Sequence, residues 1–326
     1  MKHRRFGQTD KEVSEIILGA GNISGLFTGD DAKTQRRLFE RTLESGINWI
    51  DTAFRYGNGK SEDALGPLLQ ATDHTPTVST KVGLDPEDLD DIPAAIEKGL
   101  RASLSRLRRD SVDLLQLHNR IGSKVDGRLL TVDHVLGPGG VAEGMNRVKE
   151  LGLTELSGIT ALGETGPIHE VIDSGVFDSA QIYYNMLNPS AGQDMPPAWT
   201  GQNFSKLIDA CAANGTAIIV IRSFAAGVLA TEKRHGRESI ITSGTDLESE
   251  ILKAQAVFRK LGNEHGTRAQ TALRFALSNP KISCVDVGVA NLDQLEQAVE
   301  AVARGPLPTS ALDQLQELYE TNFDFD

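Results

Sequence analysis

One pattern recurs along this chain: a short apolar run is followed by a longer amphipathic segment, and the pair occurs eight times. Unbroken apolar runs are typical of parallel strands buried on both faces, and the segments between them carry apolar residues at helical spacing. Eight such units predict a closed (β/α)8 barrel, the TIM-barrel fold. The predicted strands lie near residues 15–21, 47–53, 78–82, 112–118, 156–160, 179–185, 217–222 and 282–288.

Two segments lie outside the repeat. A weak alternation with turn residues over 4–15 predicts a short N-terminal β-hairpin, and an amphipathic stretch over 311–320 predicts an extra C-terminal helix. Asp30 or Asp31 is expected to cap the first helix of the repeat, and Ser61 the second. No linker or low-complexity segment interrupts the 326 residues, so we expect a single barrel domain.

The composition narrows the classes of partner. The chain is 39% hydrophobic and 24% charged, as in globular proteins, and its net charge of −12 disfavours nucleic acid or an anionic membrane as partner. Cys211 and Cys284 lie in apolar runs, which favours buried thiols in a reducing compartment. The basic residues 2–5 are not followed by the apolar region of a secretory signal, so a cytoplasmic location is expected.

Four polar side chains fall where a barrel of this type places its chemistry. Asp51 lies near the end of the second predicted strand and Tyr56 on the loop after it, while Lys81 and His118 end the third and fourth strands. Active sites of these barrels lie at the carboxyl ends of the strands. Because the three strands are neighbours, we expect the four side chains to meet.

The chemistry of this set is proton transfer. A tyrosine has a pKa of about 10 and needs a nearby cation to act near neutrality, which Lys81 can supply and Asp51 can balance. His118 is then free to donate a hydrogen bond to a carbonyl or alcohol oxygen. No two histidines share a metal-ligand spacing and no activated serine or thiol stands out, so no metal is expected.

Each of the four residues also has a structural interpretation when it is taken alone. Tyr56 would be an amphipathic rim residue, Lys81 a solvated strand end, His118 a hydrogen-bonded core histidine and Asp51 a loop cap. The functional interpretation rests on their common position at one end of consecutive strands.

The same segments give the chain a family resemblance. It resembles the aldo-keto reductase superfamily over nearly its whole length, and this implies a (β/α)8 barrel that binds NADP(H) or NAD(H) and transfers hydride. The resemblance implies that Tyr56 donates the proton, that Asp51 and Lys81 tune it, and that His118 orients the carbonyl. The segments that carry the resemblance are 50–57, 61–66, 79–81, 113–118, 181–185 and 288–296.

The resemblance also assigns residues to the nicotinamide end of the cofactor. Gln181 matches the glutamine that holds the carboxamide, and Thr160 takes the place of the family's serine, whose asparagine neighbour is replaced by Ala161. Arg222 stands where many members stack an aromatic ring. A guanidinium can stack as well, and a salt bridge is the alternative.

Further positions match the two phosphate-binding regions of the family. Ser223, Gly227 and Leu229 match the loop near the pyrophosphate, and Gly288, Gln294 and Gln297 belong to the segment that meets the adenosine end. Members that prefer NADPH place lysine or arginine in that last segment, and residues 288–294 contain neither. Recognition of a 2′-phosphate normally uses a cation, so strict NADP specificity is not expected.

Residues 19–25, with the spacing GxGxxxG after a strand, resemble a Rossmann phosphate loop. Such a loop runs straight into its helix, and here residues 26–29 intervene, so a loop that edges the pocket is the better interpretation. Substrate choice is expected to depend on loops 119–140, 186–203 and 230–247, where Asn119, Arg120 and Gln193 suggest a polar pocket.

Three functions remain open at this point. The first is reduction of an aldehyde or ketone by NAD(P)H. The second is the reverse chemistry, an aldose dehydrogenase that oxidises a sugar hydroxyl with NAD(P)⁺. The third is a cofactor-binding regulatory subunit, which would tolerate loss of a catalytic residue, whereas all four are present. The partner is in each enzymatic case a small carbonyl or sugar molecule.

Overall fold

The eight apolar runs lie side by side in chain order and close into a parallel barrel in the computed structural model, which describes residues 1–323. The strands of the described residues are β1 (His3–Arg5), β2 (Glu12–Ser14), β3 (Ile16–Gly19), β4 (Trp49–Asp51), β5 (Thr77–Val82), β6 (Val112–Leu117), β7 (Arg120–Gly122), β8 (Leu129–Thr131), β9 (Thr154–Ala161), β10 (Ser179–Tyr183), β11 (Ala217–Ile221) and β12 (Cys284–Gly288). The barrel order is β3-β4-β5-β6-β9-β10-β11-β12, so the predicted (β/α)8 fold is confirmed.

Helices connect the barrel strands and form the outer layer. Among residues 1–323 none is long and apolar enough to span a membrane. The helices are α1 (Ala32–Glu44), α2 (Lys60–Ala71), α3 (Ile92–Leu107), α4 (Val132–Leu136), α5 (Val141–Glu150), α6 (Thr165–Asp173), α7 (Leu207–Ala213), α8 (Leu247–Leu261), α9 (Arg268–Leu277), α10 (Leu292–Arg304) and α11 (Thr309–Glu320).

The hairpin β1–β2 closes the amino end of the barrel. Its strands pair antiparallel as predicted, and it brings Phe6 and Val13 into a buried apolar cluster inside the barrel. The Phe6 ring lies 4.5 Å from the Trp49 ring, centroid to centroid. The carboxyl end is therefore the end at which chemistry can take place.

The barrel interior changes character along the strands. The apolar cluster includes Trp49, Leu114 and Cys284, and two residues further along the same strands stand Asp51, Gln116 and Asp286. Side chains two apart along a strand point to the same face, so these polar groups form the next layer of the interior.

Two local expectations differ from the structure. Ser61 does not cap α2, which begins at Lys60 after Gly59; its hydroxyl instead donates to the Ala20 carbonyl at 3.0 Å and lies 2.8 Å from the Thr52 hydroxyl. The segment 119–140 is not only loop, because it contains the parallel pair β7–β8 and the short helix α4. For α1 the cap is Asp31, one of the two residues proposed.

Helix α2, which follows the Tyr56 loop, lies against the end of α3. A Cβ atom on Gly66 would stand 2.2 Å from the backbone oxygen of Arg106. The same contact is fixed by Glu62, which is fully buried and accepts from Arg106 Nε at 2.7 Å and from Thr80 Oγ1 at 2.5 Å. Close approach of the two helices therefore requires glycine at position 66.

We expect Gly66→Ala to lower the free energy of unfolding by about 1–3 kcal/mol, because the added methyl group forces backbone away from backbone. The matched control is Gly166→Ala in α6, where a Cβ meets nothing within 4 Å. That change should be neutral or slightly stabilising, since alanine is the better helix former. Urea denaturation followed by circular dichroism measures both, and equal midpoints would contradict the close approach.

Candidate active site

The turn after β4 aims Tyr56 across the mouth of the barrel. Gly57, Asn58 and Gly59 have φ values of 65°, 53° and 93°, so three successive residues adopt the left-handed backbone. Glycine and asparagine accept this conformation at low cost. The chain thereby reverses from the strand into α2, and Tyr56 is left half-buried above the carboxyl end of β4.

Asp51 and Lys81 form a buried ion pair beneath the tyrosine. Lys81 Nζ donates to Asp51 Oδ2, and both side chains are fully shielded from solvent. The other carboxylate oxygen, Oδ1, accepts from Ser79 Oγ at 2.7 Å and from Gln116 Nε2 at 3.1 Å. Asp51 is therefore held on both oxygens, as a buried charge requires.

Lys81 links this pair to Tyr56. Its ammonium group donates to the Tyr56 hydroxyl oxygen at 3.1 Å and to the Thr52 carbonyl at 3.0 Å. Burial alone would lower the pKa of Lys81, but the Asp51 carboxylate and, more weakly, Tyr56 and Asp286 raise it above its ordinary value, so Lys81 stays charged. Because Tyr56 accepts this hydrogen bond, its own proton is left to donate elsewhere.

The pKa of Tyr56 is raised above its ordinary value of 10.0. Burial raises it, and this outweighs the nearby Lys81 charge, which lowers it. From the sequence we considered only the effect of Lys81, which lowers this pKa, and not the effect of burial. At neutral pH the phenol is therefore protonated.

His118 completes the group of four at the end of β6. Its ring lies edge-on to the Tyr56 ring, with the centroids 5.7 Å apart. Burial, followed by the charges of Lys81, Arg55 and Arg128, lowers the pKa of His118 to about 3. The imidazole is neutral and carries one N–H, so it can donate a hydrogen bond without acting as a cation.

Arg55 and Arg128 were not singled out from the sequence, yet they lie beside the mouth of the site. Both donate to Asp85 Oδ1, Arg55 at 3.3 Å and Arg128 at 2.6 Å. The Arg55 guanidinium fills the space above Gly83, where a Cβ would stand 2.2 Å from Arg55 Nε. Of these two arginines, only Arg55 could have been found from the sequence, because it is the neighbour of Tyr56.

Thr160 and Gln181 lie side by side on β9 and β10, where the register pairs them directly. Both residues are buried, and within the described residues neither Thr160 Oγ1 nor Gln181 Nε2 has a hydrogen-bond partner. Buried polar atoms are costly when they are unpaired. A carboxamide offers one acceptor and two donors, so the pair fits the end of a nicotinamide.

The loop after β11 has an unusual backbone. Arg222, Ala225, Ala226 and Gly227 all have positive φ, with Gly227 at 102°. The Arg222 guanidinium donates to the backbone and side-chain oxygens of Ser239, and no ion pair of Arg222 is found in residues 1–323. The two remaining predicted residues of this loop, Ser223 and Leu229, are buried, with the Leu229 side chain in the hydrophobic core.

The segment after β12 contains the last predicted positions. Gly288 is exposed and pairs in register with Gly19. Gln294 Oε1 accepts from the Ala290 backbone N–H at 2.7 Å, while Gln297 Oε1 accepts from Thr267 Oγ1 at 3.0 Å. Gln297 thus bonds the residue that caps the start of α9.

The two remaining sequence-based expectations have different outcomes. The loop after β3 does edge the site, since a Cβ on Gly21 would lie 3.6 Å from the Tyr56 ring. Asn119 does not contribute its amide to a polar pocket, because it bonds Leu84 N and O. Gln193 Nε2 likewise donates a hydrogen bond to Gln316 Oε1 at 2.7 Å, and the Arg120 side chain is exposed.

Asp286 is a further polar group that the sequence analysis placed in a strand without giving it a role. It lies on β12 inside the barrel and is close enough to influence the pKa of both Lys81 and Tyr56. Its signal in the sequence is the same as that of Asp51, a lone carboxylate in an apolar run. Across residues 1–323 no cluster of histidine, cysteine and acidic side chains is arranged to hold a metal ion.

Several curated proteins are similar to this chain along most of its length. The L-galactose dehydrogenase of Arabidopsis thaliana is 28% identical over 92% of this chain and 87% of its own. The D-threo-aldose 1-dehydrogenase of a Pseudomonas species is 27% identical over 89% and 90%. A probable voltage-gated potassium channel subunit beta of Arabidopsis thaliana is 24% identical over 98% and 97%.

Among solved structures, an aldo-keto reductase of Bacillus halodurans in its holo form superposes with a TM-score of 0.76. It is 24% identical and covers 99% of this chain and 100% of its own. This similarity shows that the two proteins share a fold. The sequence profile of the aldo/keto reductase family matches residues 15–320. A match of that extent, on a barrel that brings Asp51, Tyr56, Lys81 and His118 together, means that the chain belongs to the aldo/keto reductase family of NAD(P)-dependent oxidoreductases.

Proposed function

We propose that this protein reduces an aldehyde or ketone by hydride transfer from NAD(P)H, with Tyr56 as the proton donor. The observation that carries the proposal is the state of Tyr56. Its hydroxyl accepts a hydrogen bond from Lys81 at 3.1 Å, and its raised pKa keeps the proton on the oxygen at neutral pH. A carbonyl that becomes an alcohol needs such a donor.

Lys81 stabilises what Tyr56 becomes. When the proton leaves, the phenolate oxygen lies at hydrogen-bond distance from a charged ammonium group. Asp51 keeps that ammonium in place and charged, and Ser79 and Gln116 keep Asp51 in place. The cation therefore acts where negative charge develops, without having to reorganise during the reaction.

His118 supplies the second hydrogen bond. The neutral ring, edge-on to Tyr56, can donate its N–H to the carbonyl oxygen that receives the Tyr56 proton. Two donors on one oxygen polarise the carbonyl and fix its orientation. A charged imidazolium would instead compete with Tyr56 as the acid.

The cofactor, when bound, supplies the hydride at the face of the carbonyl. We assign its carboxamide to Thr160 and Gln181, whose buried polar atoms lack partners among the described residues. Arg222 would stack on the nicotinamide, and Ser223 and Gly227 would lie near the pyrophosphate. Leu229 would anchor that loop in the core, because its side chain is fully buried.

The adenosine end is assigned to Gly288, Gln294 and Gln297. The segment 288–297 contains no lysine or arginine, and it contains Asp293 and Glu296. Glu296 is paired with Arg41 at 2.6 Å, so that cation is already engaged. These features favour a protein that accepts NAD(H) and does not require the 2′-phosphate of NADP(H).

Oxidation of a sugar hydroxyl is the second candidate. It is supported by the two sugar dehydrogenases among the similar proteins, which align over about nine-tenths of this chain. The same residues can serve this direction because the proton and hydride steps are reversible, and a cellular NAD⁺ pool favours oxidation. Comparing kcat/KM for aldehydes with NADH and for aldoses with NAD⁺ on the same preparation decides between the two.

We expect Tyr56→Phe to lower kcat by about 10²- to 10⁴-fold, the range for loss of a general acid, while the affinity for cofactor is unchanged. The absorbance of the reduced nicotinamide measures turnover, and fluorescence titration measures binding. Tyr184→Phe is the control, since it removes a hydroxyl from a ring that stacks on Phe275 outside the barrel. Full activity in Tyr56→Phe would show that Tyr56 is not the proton donor.

The pH dependence follows from the two shifted pKa values. Reduction needs protonated Tyr56, so kcat/KM should stay level through neutral pH and fall only as pH rises above about 10. Oxidation needs the phenolate and should show the opposite slope. His118, with a pKa of about 3, should give no inflection near its ordinary value of 6.5. A histidine-like inflection near neutrality would contradict the neutral imidazole.

Gln294→Arg should tighten NADPH binding about tenfold and leave NADH binding unchanged, because one charge-assisted contact to the 2′-phosphate is gained. Gln294→Met is the matched control. It also removes the hydrogen bond to Ala290, but it adds no charge. Equal changes in the two variants would show that position 294 does not face the adenosine ribose.

A further inference from the structure

Asp286 is a buried carboxyl group that the proposed mechanism does not use. It follows Cys284 on β12 by two residues, and Cys284 belongs to the apolar cluster on the barrel floor. The Asp286 residue keeps some exposed surface, but its Oδ1 atom is sealed from solvent and has no hydrogen-bond partner among the described residues. An ionised carboxylate in that position would leave a buried acceptor unpaired.

The missing side chain of Gly19 places this carboxyl group against Asp51. A Cβ on Gly19 would stand 2.1 Å from Asp286 Oδ1, so the carboxyl group lies over the glycine. Gly19 pairs in register with Asp51 on the neighbouring strand. The carboxyl group of Asp286 thereby reaches hydrogen-bonding distance of the Asp51 side chain.

Two carboxyl groups in contact cannot both be acceptors. Asp51 already accepts from Lys81, Ser79 and Gln116, and Lys81 is the one cation in contact with it among the described residues. A single buried lysine balances one carboxylate, and two like charges in one site keep one of them protonated. Burial, followed by the neighbouring Asp51 charge, raises the pKa of Asp286 well above its ordinary value.

We propose that Asp286 holds a proton at neutral pH and donates a hydrogen bond to Asp51, as a positioning residue for Lys81 and Tyr56. One proton then removes both difficulties, the unpaired oxygen and the excess negative charge. Asp51 receives a further donor, and the charge of Lys81 is opposed by one carboxylate only. The role of this contact in turnover rests on the proposed function, whereas the protonation itself does not.

The neutral state of Asp286 matters for Tyr56. A negative charge at Asp286 would raise the pKa of Tyr56 and oppose formation of the phenolate. With the proton in place, the field at the phenol comes from Lys81 and its single counter-ion. The cluster therefore stabilises the developing phenolate more strongly than two ionised aspartates would.

Infrared difference spectroscopy tests the protonation directly. We expect the wild-type protein to show the carbonyl stretch of protonated carboxylic acid at pH 7, and Asp286→Asn to lose the part of that band that belongs to Asp286. Burial also raises the pKa of Glu250, to about 7, so the loss of intensity is the readout. Asp63→Asn, at an exposed site on α2, is the control and should keep the band. Absence of the band in wild-type protein, or a band of undiminished intensity in Asp286→Asn, would overturn the proposal, whether or not a substrate for the enzyme is known.

Kinetics tests the positioning role. Asparagine keeps a neutral donor, so Asp286→Asn should retain the wild-type kcat and pH profile. Asp286→Leu removes the donor, and we expect kcat to fall about tenfold with little change in KM. A lower kinetic pKa of the acid in Asp286→Asn would mean that a negative charge had been removed, and would contradict a neutral Asp286. Should wild-type protein turn over no carbonyl or sugar, the proposed function fails and the infrared result still decides the protonation.

Discussion

The buried ion pair of Asp51 and Lys81 is the interaction on which the rest of the site depends. A lysine deep in a barrel has to be paired, and pairing is what keeps it charged. That charge is directed at Tyr56, which would otherwise be a half-buried phenol with no means of stabilising its anion. Ser79 and Gln116 in turn satisfy Asp51, so the network extends from three strands of the barrel wall to one hydroxyl group.

The barrel separates stability from chemistry along its axis. At the amino end the hairpin and the inward side chains form an apolar floor that includes Phe6 and Trp49. One layer higher, side chains from the same strands are polar and surround Lys81. Because the interior of such a barrel is packed in layers, polar residues can be confined to the layer that meets the substrate. Asp286 belongs to this layer, and its proposed proton balances the local charge.

Family membership sets the general reaction, and the chain's own residues set its details. The aldo/keto reductase profile covers residues 15–320, while the similar proteins include sugar dehydrogenases and a channel subunit. What distinguishes this chain lies at particular positions: threonine and alanine at 160–161, arginine at 222, and a segment after β12 without a cation. The proposed cofactor preference rests on these positions.

The sequence by itself determined the strand–helix repeat and the four polar residues at successive strand ends, because alternation and strand order are properties of the chain. It also placed Tyr56 on the loop after the second strand. Only the tertiary structure decided which groups face one another across the barrel. Strand register brought Asp286 over Gly19 to Asp51, and packing of loops from distant segments committed Asn119 and Gln193 elsewhere. Those contacts, and the desolvation that outweighs Lys81 at Tyr56, depend on distances between residues far apart in sequence, which no local pattern encodes.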